Sequence, residues 1–273
     1  MLKNIASTAL VIAFGVASGQ AMATCSDVNR ANLLAIAKTV VKLDNGGFHL
    51  PMWVTMVDET GKVCYVVNTA GSGANISKQS WLLSRVISAQ KANTANGLSI
   101  DGFAISTGIL HSTAHENGSL FGLQFSNPVD PTAAYAGSPS LYGTPNDPLV
   151  GKRIGGVNVF GGGLALYKGG AAKKVGAIGV SGDTSCTDHV VAWKIRNALG
   201  KSVVPAGFTN KNFDAQGNPL NLTGKKGDEI IIDLEGDGFT NLPEGAAAWA
   251  HPPCPNTPHG KDAGAIIFDD PPA

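Results

Sequence analysis

Six histidines and four cysteines are the side chains best suited to chemistry in this 273-residue chain. His111 and His115 stand four apart, in the run His-Ser-Thr-Ala-His. On a helix that spacing sets two imidazoles on one face, where they could hold a metal or offer one nitrogen to an iron centre. A zinc protease is excluded, because no Glu follows the first His. His189 follows Asp188 in the first turn of an expected helix, and a neighbouring carboxylate can orient an imidazole or raise its pKa. Adjacent helical residues point apart, however, so Asp188 reads first as the partner of Ser185 in a capping box. His49 reads as solvent-facing, and His251 and His259 lie in a Pro-rich tail.

Cys25, Cys64, Cys186 and Cys254 are an even set, which in an exported chain favours two disulfides. Three pairings are open. Cys186 with Cys254 is preferred, because it would staple the tail to the core and leave Cys25 with Cys64. A thiolate haem ligand or a metal site is the alternative; no CxxC spacing supports it, and an oxidising compartment argues against it. The loop at 179–183, with Gly179, Ser181 and Gly182, precedes a helix and offers backbone N–H groups that suit an anion. It lacks the Gly-Lys-Ser/Thr ending of a phosphate loop, and a tight turn competes with anion binding. In the tail, Asp233, Glu235, Asp237, Asn241 and Glu244 follow the oxygen-ligand spacing of a calcium loop, with Gly238 in its glycine position. Glu235, Pro243 and a preceding strand depart from that pattern, so an acidic turn competes with calcium.

These groups need a scaffold. Apolar runs at 157–160, 164–167 and 175–180, separated by glycine turns, predict three strands. A helix follows from Ser185. Upstream, 27–43 predicts a helix, and 52–57 with 63–67 predicts a hairpin whose Gly61 suits the left-handed turn position. Ser77 would cap a helix to about residue 93, with Trp81 packed on the sheet. Ser106 or Thr107 would start a short helix through His115. The Pro- and Gly-rich stretch 128–153 predicts a long loop serving as lid, insertion or interface arm, with Tyr135, Leu141 and Tyr142 available to cover a ligand or touch another subunit. In the tail from Lys201, 229–234 predicts a further strand. The expected fold is α+β: an antiparallel sheet of about five strands, helices mainly on one face, and an irregular C-terminal extension at 201–273 packed on a core domain at 24–200.

Lys3, an apolar run at 5–15 and Ala21-Met22-Ala23 fit a signal peptide cleaved after Ala23. The mature chain is then periplasmic or secreted, with no membrane span. A net charge of zero and a pI near 7.0 give no basic field for nucleic acid.

The run 161–188, GGGLALYKGG…KKVGAIGVSGDTSCTD, resembles the C-terminal signature of the GlcG/HbpS-like haem-binding family. VTMVDETGKV at 54–63 resembles its opening hairpin, and QKANTA at 90–95 resembles its "KA.TA" segment. The resemblance covers about residues 27–200. It implies an α+β architecture, self-association into dimers or larger rings, and haem or a related tetrapyrrole as ligand, in haem breakdown or redox sensing. It supplies no matched axial ligand. From chemistry, His111 and His115, then His189, are the candidates for iron, with a second His as a distal group. Gly179, Ser181 and Gly182 would receive a propionate. Two other readings stay open: an enzyme acting on a small organic acid or aldehyde near the 179–183 loop, and a structural or partner-binding protein using the long loop and tail.

Overall fold

The computed structural model describes residues 25–207, 227–232, 249 and 251–256. The expected signal peptide, the calcium-loop residues Asp233, Glu235, Asp237, Asn241 and Glu244, and His259 lie outside the described residues.

Helix α1 (Arg30–Val40) starts where Asn29 accepts the N–H groups of Ala31 and Asn32, satisfying donors that a helix start leaves unpaired. The start is therefore later than residue 27, and Cys25–Asp27 form a single 3-10 turn. Strands β1 (Trp53–Val57) and β2 (Val63–Asn68) pair as a hairpin. Its turn is closed by the Asp58 carboxylate, which accepts from Thr60 and Lys62 N–H, and Gly61 takes the left-handed conformation at φ 80°. Strands β3 (Gly163–Lys168) and β4 (Lys173–Ser181) form a second hairpin, and β1 pairs with β4. The sheet order is β2-β1-β4-β3, all antiparallel.

The sheet has four strands, one fewer than expected. At 157–160 the Asn158 side chain accepts the Phe160 N–H, a local turn that competes with strand pairing. Gly155 and Gly156, at φ 63° and 80°, also break the extended path into this segment. At 229–232 the described residues show isolated bridging, Ile232 with His251, and no place in the four-stranded sheet.

The helices cover both faces, not mainly one. Successive side chains alternate across a strand. Val54, Met56, Leu164, Leu166, Ile178 and Val180 pack with α1 and with α5 (Ser185–Ala198). Trp53, Val57, Val63, Val66 and Ala177 pack with α2 (Ser84–Leu98) and with Leu149 and Ile154. Helix α2 seats on β4 across Gly179, where an added Cβ would lie 1.9 Å from the Ser88 carbonyl oxygen. Ser77 sits in a 3-10 turn, and the cap of α2 is Leu83, six residues later than expected. Trp81 is 53% exposed and does not pack on the sheet; its carbonyl accepts the Trp53 indole N–H at 3.0 Å.

The stretch 128–153 carries a short helix α4 (Pro131–Ala134) and is pinned by buried Asp147. That carboxylate receives Arg85 from α2 and the N–H groups of Gly143 and Leu149. Tyr142 lies under the Arg85 guanidinium at 3.8 Å, while Tyr135 and Leu141 are exposed. In the C-terminal segment, Asp228 forms a buried pair with Arg196 of α5, and Ile230 and Ile232 join the core. Disulfides join Cys25 to Cys64 and Cys186 to Cys254, the preferred pairing.

Candidate functional site

The site is assembled at the first turn of α5. Thr184 caps this helix by accepting the Thr187 N–H, so Ser185 is not the cap. Ser185 Oγ instead accepts the Gly161 N–H at 2.7 Å and lies 2.7 Å from His251 Nε2. The disulfide from Cys186 to Cys254 draws in the tail, and His251 comes with it, three residues before Cys254. His251 Nδ1 lies 2.6 Å from the Pro252 carbonyl oxygen, which can only accept. Nδ1 therefore carries the proton, Nε2 keeps a lone pair, and the Ser185 hydroxyl donates to it.

Helix α3 (His111–Ala114) supplies the other wall. A 3-10 turn at Gly108–Leu110 precedes it. Thr107 anchors that turn to β3, its Oγ accepting the Gly163 N–H at 2.8 Å and its N–H donating to the Gly163 carbonyl. The His111 ring lies 4.7 Å from His251 and 5.9 Å from His115. The helix ends at Ala114 and His115 turns extended, so the two spaced histidines stack beside each other at 21°. His111, Ser112, His115, Glu116 and Pro252 line an open cavity of about 370 Å³. Among the described residues, His111 Nδ1 is buried without a hydrogen-bond partner. Burial, then the neighbouring His115, lowers the His111 pKa; burial, then His111, lowers that of His251 to about 4. Both are neutral near pH 7; the Ser185 hydroxyl already occupies the His251 lone pair, so His111 is the one with a nitrogen to give to a metal.

His189 is placed differently. Its ring is fully buried against Trp193, 6.2 Å away, and Nδ1 accepts the Gly162 N–H at 3.4 Å. Burial, then Arg196, holds its pKa well below the usual range. It does not line the cavity. Nor does Asp188 orient it: that carboxylate takes Lys91 Nζ at 2.7 Å and the Asp183 N–H at 2.9 Å. Burial pushes Asp188 up to about 6 against the opposing pull of Lys91, which also donates to the Val180 carbonyl.

The 179–183 corner is filled from within. Gly179 and Ser181 are paired in β4, and Gly182 packs where an added Cβ would meet the Pro51 carbonyl at 2.7 Å. Val180 N–H donates to Gly162, Asp183 N–H to Asp188, and the Asp183 carboxylate takes the N–H groups of Phe48, Leu50 and Thr184. An incoming anion would meet two carboxylates there. The structure therefore gives Gly179, Ser181 and Gly182 a packing role and does not join them to the histidine cavity.

Sequence reasoning missed His251, Ser185 and Lys91. The first two were within reach: the preferred Cys186–Cys254 bridge, with His251 three before one cysteine and Ser185 next to the other, already brings them together. Lys91 and Asp188 are 97 residues apart and no local pattern joins them.

The family model described as "Haem degrading protein HbpS-like" matches residues 24–196. No curated protein matches the chain. Among solved structures, the Klebsiella pneumoniae protein ORFY is 19% identical with a TM-score of 0.42, covering 73% of this chain and 98% of its own. A PduOC–haem complex is 19% identical at 0.41, covering 62% and 89%. A double mutant of Streptomyces reticuli HbpS is 16% identical at 0.41, covering 72% and 99%.

Proposed function

Because the chain belongs to the HbpS-like family of haem degrading proteins, we propose that it binds haem at the cavity lined by His111 and His115. The observation that carries this reading is a stacked pair of imidazoles, His111 and His115, lining one open cavity, with His111 held neutral by burial. An imidazole nitrogen is a common protein ligand to haem iron. His111 or His115 supplies it, and the stacked neighbour stands as a polar group beside the ring. His189 drops from the candidates because its buried ring does not line the cavity. His251 holds the wall through Ser185 and the Pro252 carbonyl.

Bound haem supplies iron redox chemistry, and haem breakdown is the use that the family description favours. The part of this chain is to offer the nitrogen and fix its orientation. The same reading takes residues 1–23 as a signal peptide and the mature protein as periplasmic or secreted, which two disulfides support. Self-association comes from the family resemblance. None of the described helices is long and apolar enough to cross a membrane.

A haem titration of the mature chain followed by absorption tests the reading. Wild type should give a saturable Soret shift. His111→Ala or His115→Ala should abolish it, the other should alter it, and His189→Ala should leave it in place. A wild-type protein without a saturable shift would overturn the proposal.

A further inference from the structure

A second donor set lies behind the cavity wall and does not depend on haem. Cys186 Sγ, Cys254 Sγ and a ring nitrogen of His251 all lie within 4.8 Å of one another. The two sulfurs are bonded to each other here, whereas thiolates on one tetrahedral zinc stand about 3.5–3.8 Å apart, so after reduction the cysteine side chains must swing apart around the ion while their Cα atoms stay 6.0 Å from each other. The spacing His251-Pro-Pro-Cys254 places two donors on one short loop, and Cys186 adds the third from the first turn of α5. The supporting bonds are already made. Cys186 N–H donates to Cys254 Sγ at 3.1 Å, a contact that favours a thiolate, and His251 Nδ1–H is held by the Pro252 carbonyl, which leaves Nε2 as the ligating nitrogen once the metal takes the place of the Ser185 hydroxyl. Cys25, Asp58 and Cys64 cluster similarly, but one Asp58 oxygen closes the β1–β2 turn and the other faces Lys62 at 3.7 Å.

We propose that the reduced chain holds one soft divalent metal ion, zinc in the first instance, between Cys186, Cys254 and His251, with a water in the fourth position. A phosphine or dithiol reductant delivers two electrons to the disulfide; its S–S bond breaks, two protons are taken up, and the reductant is oxidised. Binding then releases both protons as two thiolates coordinate. Two thiolates neutralise the charge of the ion, which suits a buried place. The tail thus stays clasped to α5 in either redox state, by a sulfur–sulfur bond or by the metal.

Cobalt(II) is the probe. Wild-type mature chain, reduced with a phosphine and kept anaerobic, is titrated with cobalt beside the oxidised protein. The expected result is a thiolate-to-cobalt charge-transfer band saturating at one ion per chain, displaced by zinc and absent from oxidised protein. Cys254→Ser should lose the band, His251→Ala should weaken binding at least tenfold, and Cys25→Ser should keep both band and affinity. X-ray absorption of the zinc-loaded wild type should read two sulfurs and at least one imidazole nitrogen, a readout that needs no variant to fold. No saturable band in reduced wild type, a band lost in Cys25→Ser but kept in Cys254→Ser, or a zinc shell without sulfur would each overturn the proposal.

Discussion

Lowering the pH should loosen the metal-free, disulfide-bonded protein through His251. An unburied histidine takes a proton near 6.5, whereas burial and the adjacent His111 bring His251 down to about 4. Between those values the unfolded chain binds the extra proton and the folded chain does not, so stability falls as the pH drops. At about 1.4 kcal/mol per pH unit, the gap is worth about 3 kcal/mol, fully present above pH 6.5 and lost on the way to pH 4. Asp188 acts in the opposite sense. Its carboxyl is raised from 3.8 to about 6, so its protonation favours the folded state as pH falls. Comparing wild type with His251→Gln cancels that contribution. Urea unfolding from pH 8 to pH 4 should show wild type losing about 3 kcal/mol more than the variant. Parallel profiles for the two proteins, or an NMR titration of His251 near 6.5, would refute the reasoning.

Other perturbations follow from the same contacts. Lys91→Met and Asp188→Asn each leave a buried partner uncompensated and should cost about 3–5 kcal/mol in urea unfolding, while Lys91→Met/Asp188→Leu recovers most of it. Asp147→Ala should strand Arg85, cost a similar amount, and expose 128–153 to limited proteolysis. Gly179→Ala sets a methyl 1.9 Å from the Ser88 carbonyl, so α2 must shift from β4, and the melting midpoint should drop by the equivalent of about 1–3 kcal/mol.

The sheet was legible because its signals are local. Gly61 marked the first hairpin, Gly169 and Gly170 the second, and the apolar runs 164–167 and 175–180 lie within β3 and β4. Those runs are apolar without alternation, a mark of burial on both faces that the expectation of helices mainly on one face left unused, and α1, α5 and α2 provide that burial. The segment 157–160 misled because its apolar content matches a strand, while Asn158 and the preceding glycines spend its backbone on turns. Trp81 misled because hydrophobicity alone does not say which way a turn faces. At the site, the spacing of His111 and His115 was visible, but the early end of α3 was not. The 179–183 loop reads as an anion site until Asp183 and Asp188 are seen filling it, and those contacts reach across as many as 135 residues.

In the proposed complex an imidazole from the His111/His115 cavity binds haem iron. Resonance Raman spectroscopy of the ferrous haem complex reads that bond directly. An iron–histidine stretching band is expected in wild type and in His189→Ala, with its loss in either His111→Ala or His115→Ala. A wild-type complex without the band, or one whose band survives both single substitutions and their combination, would contradict that ligation.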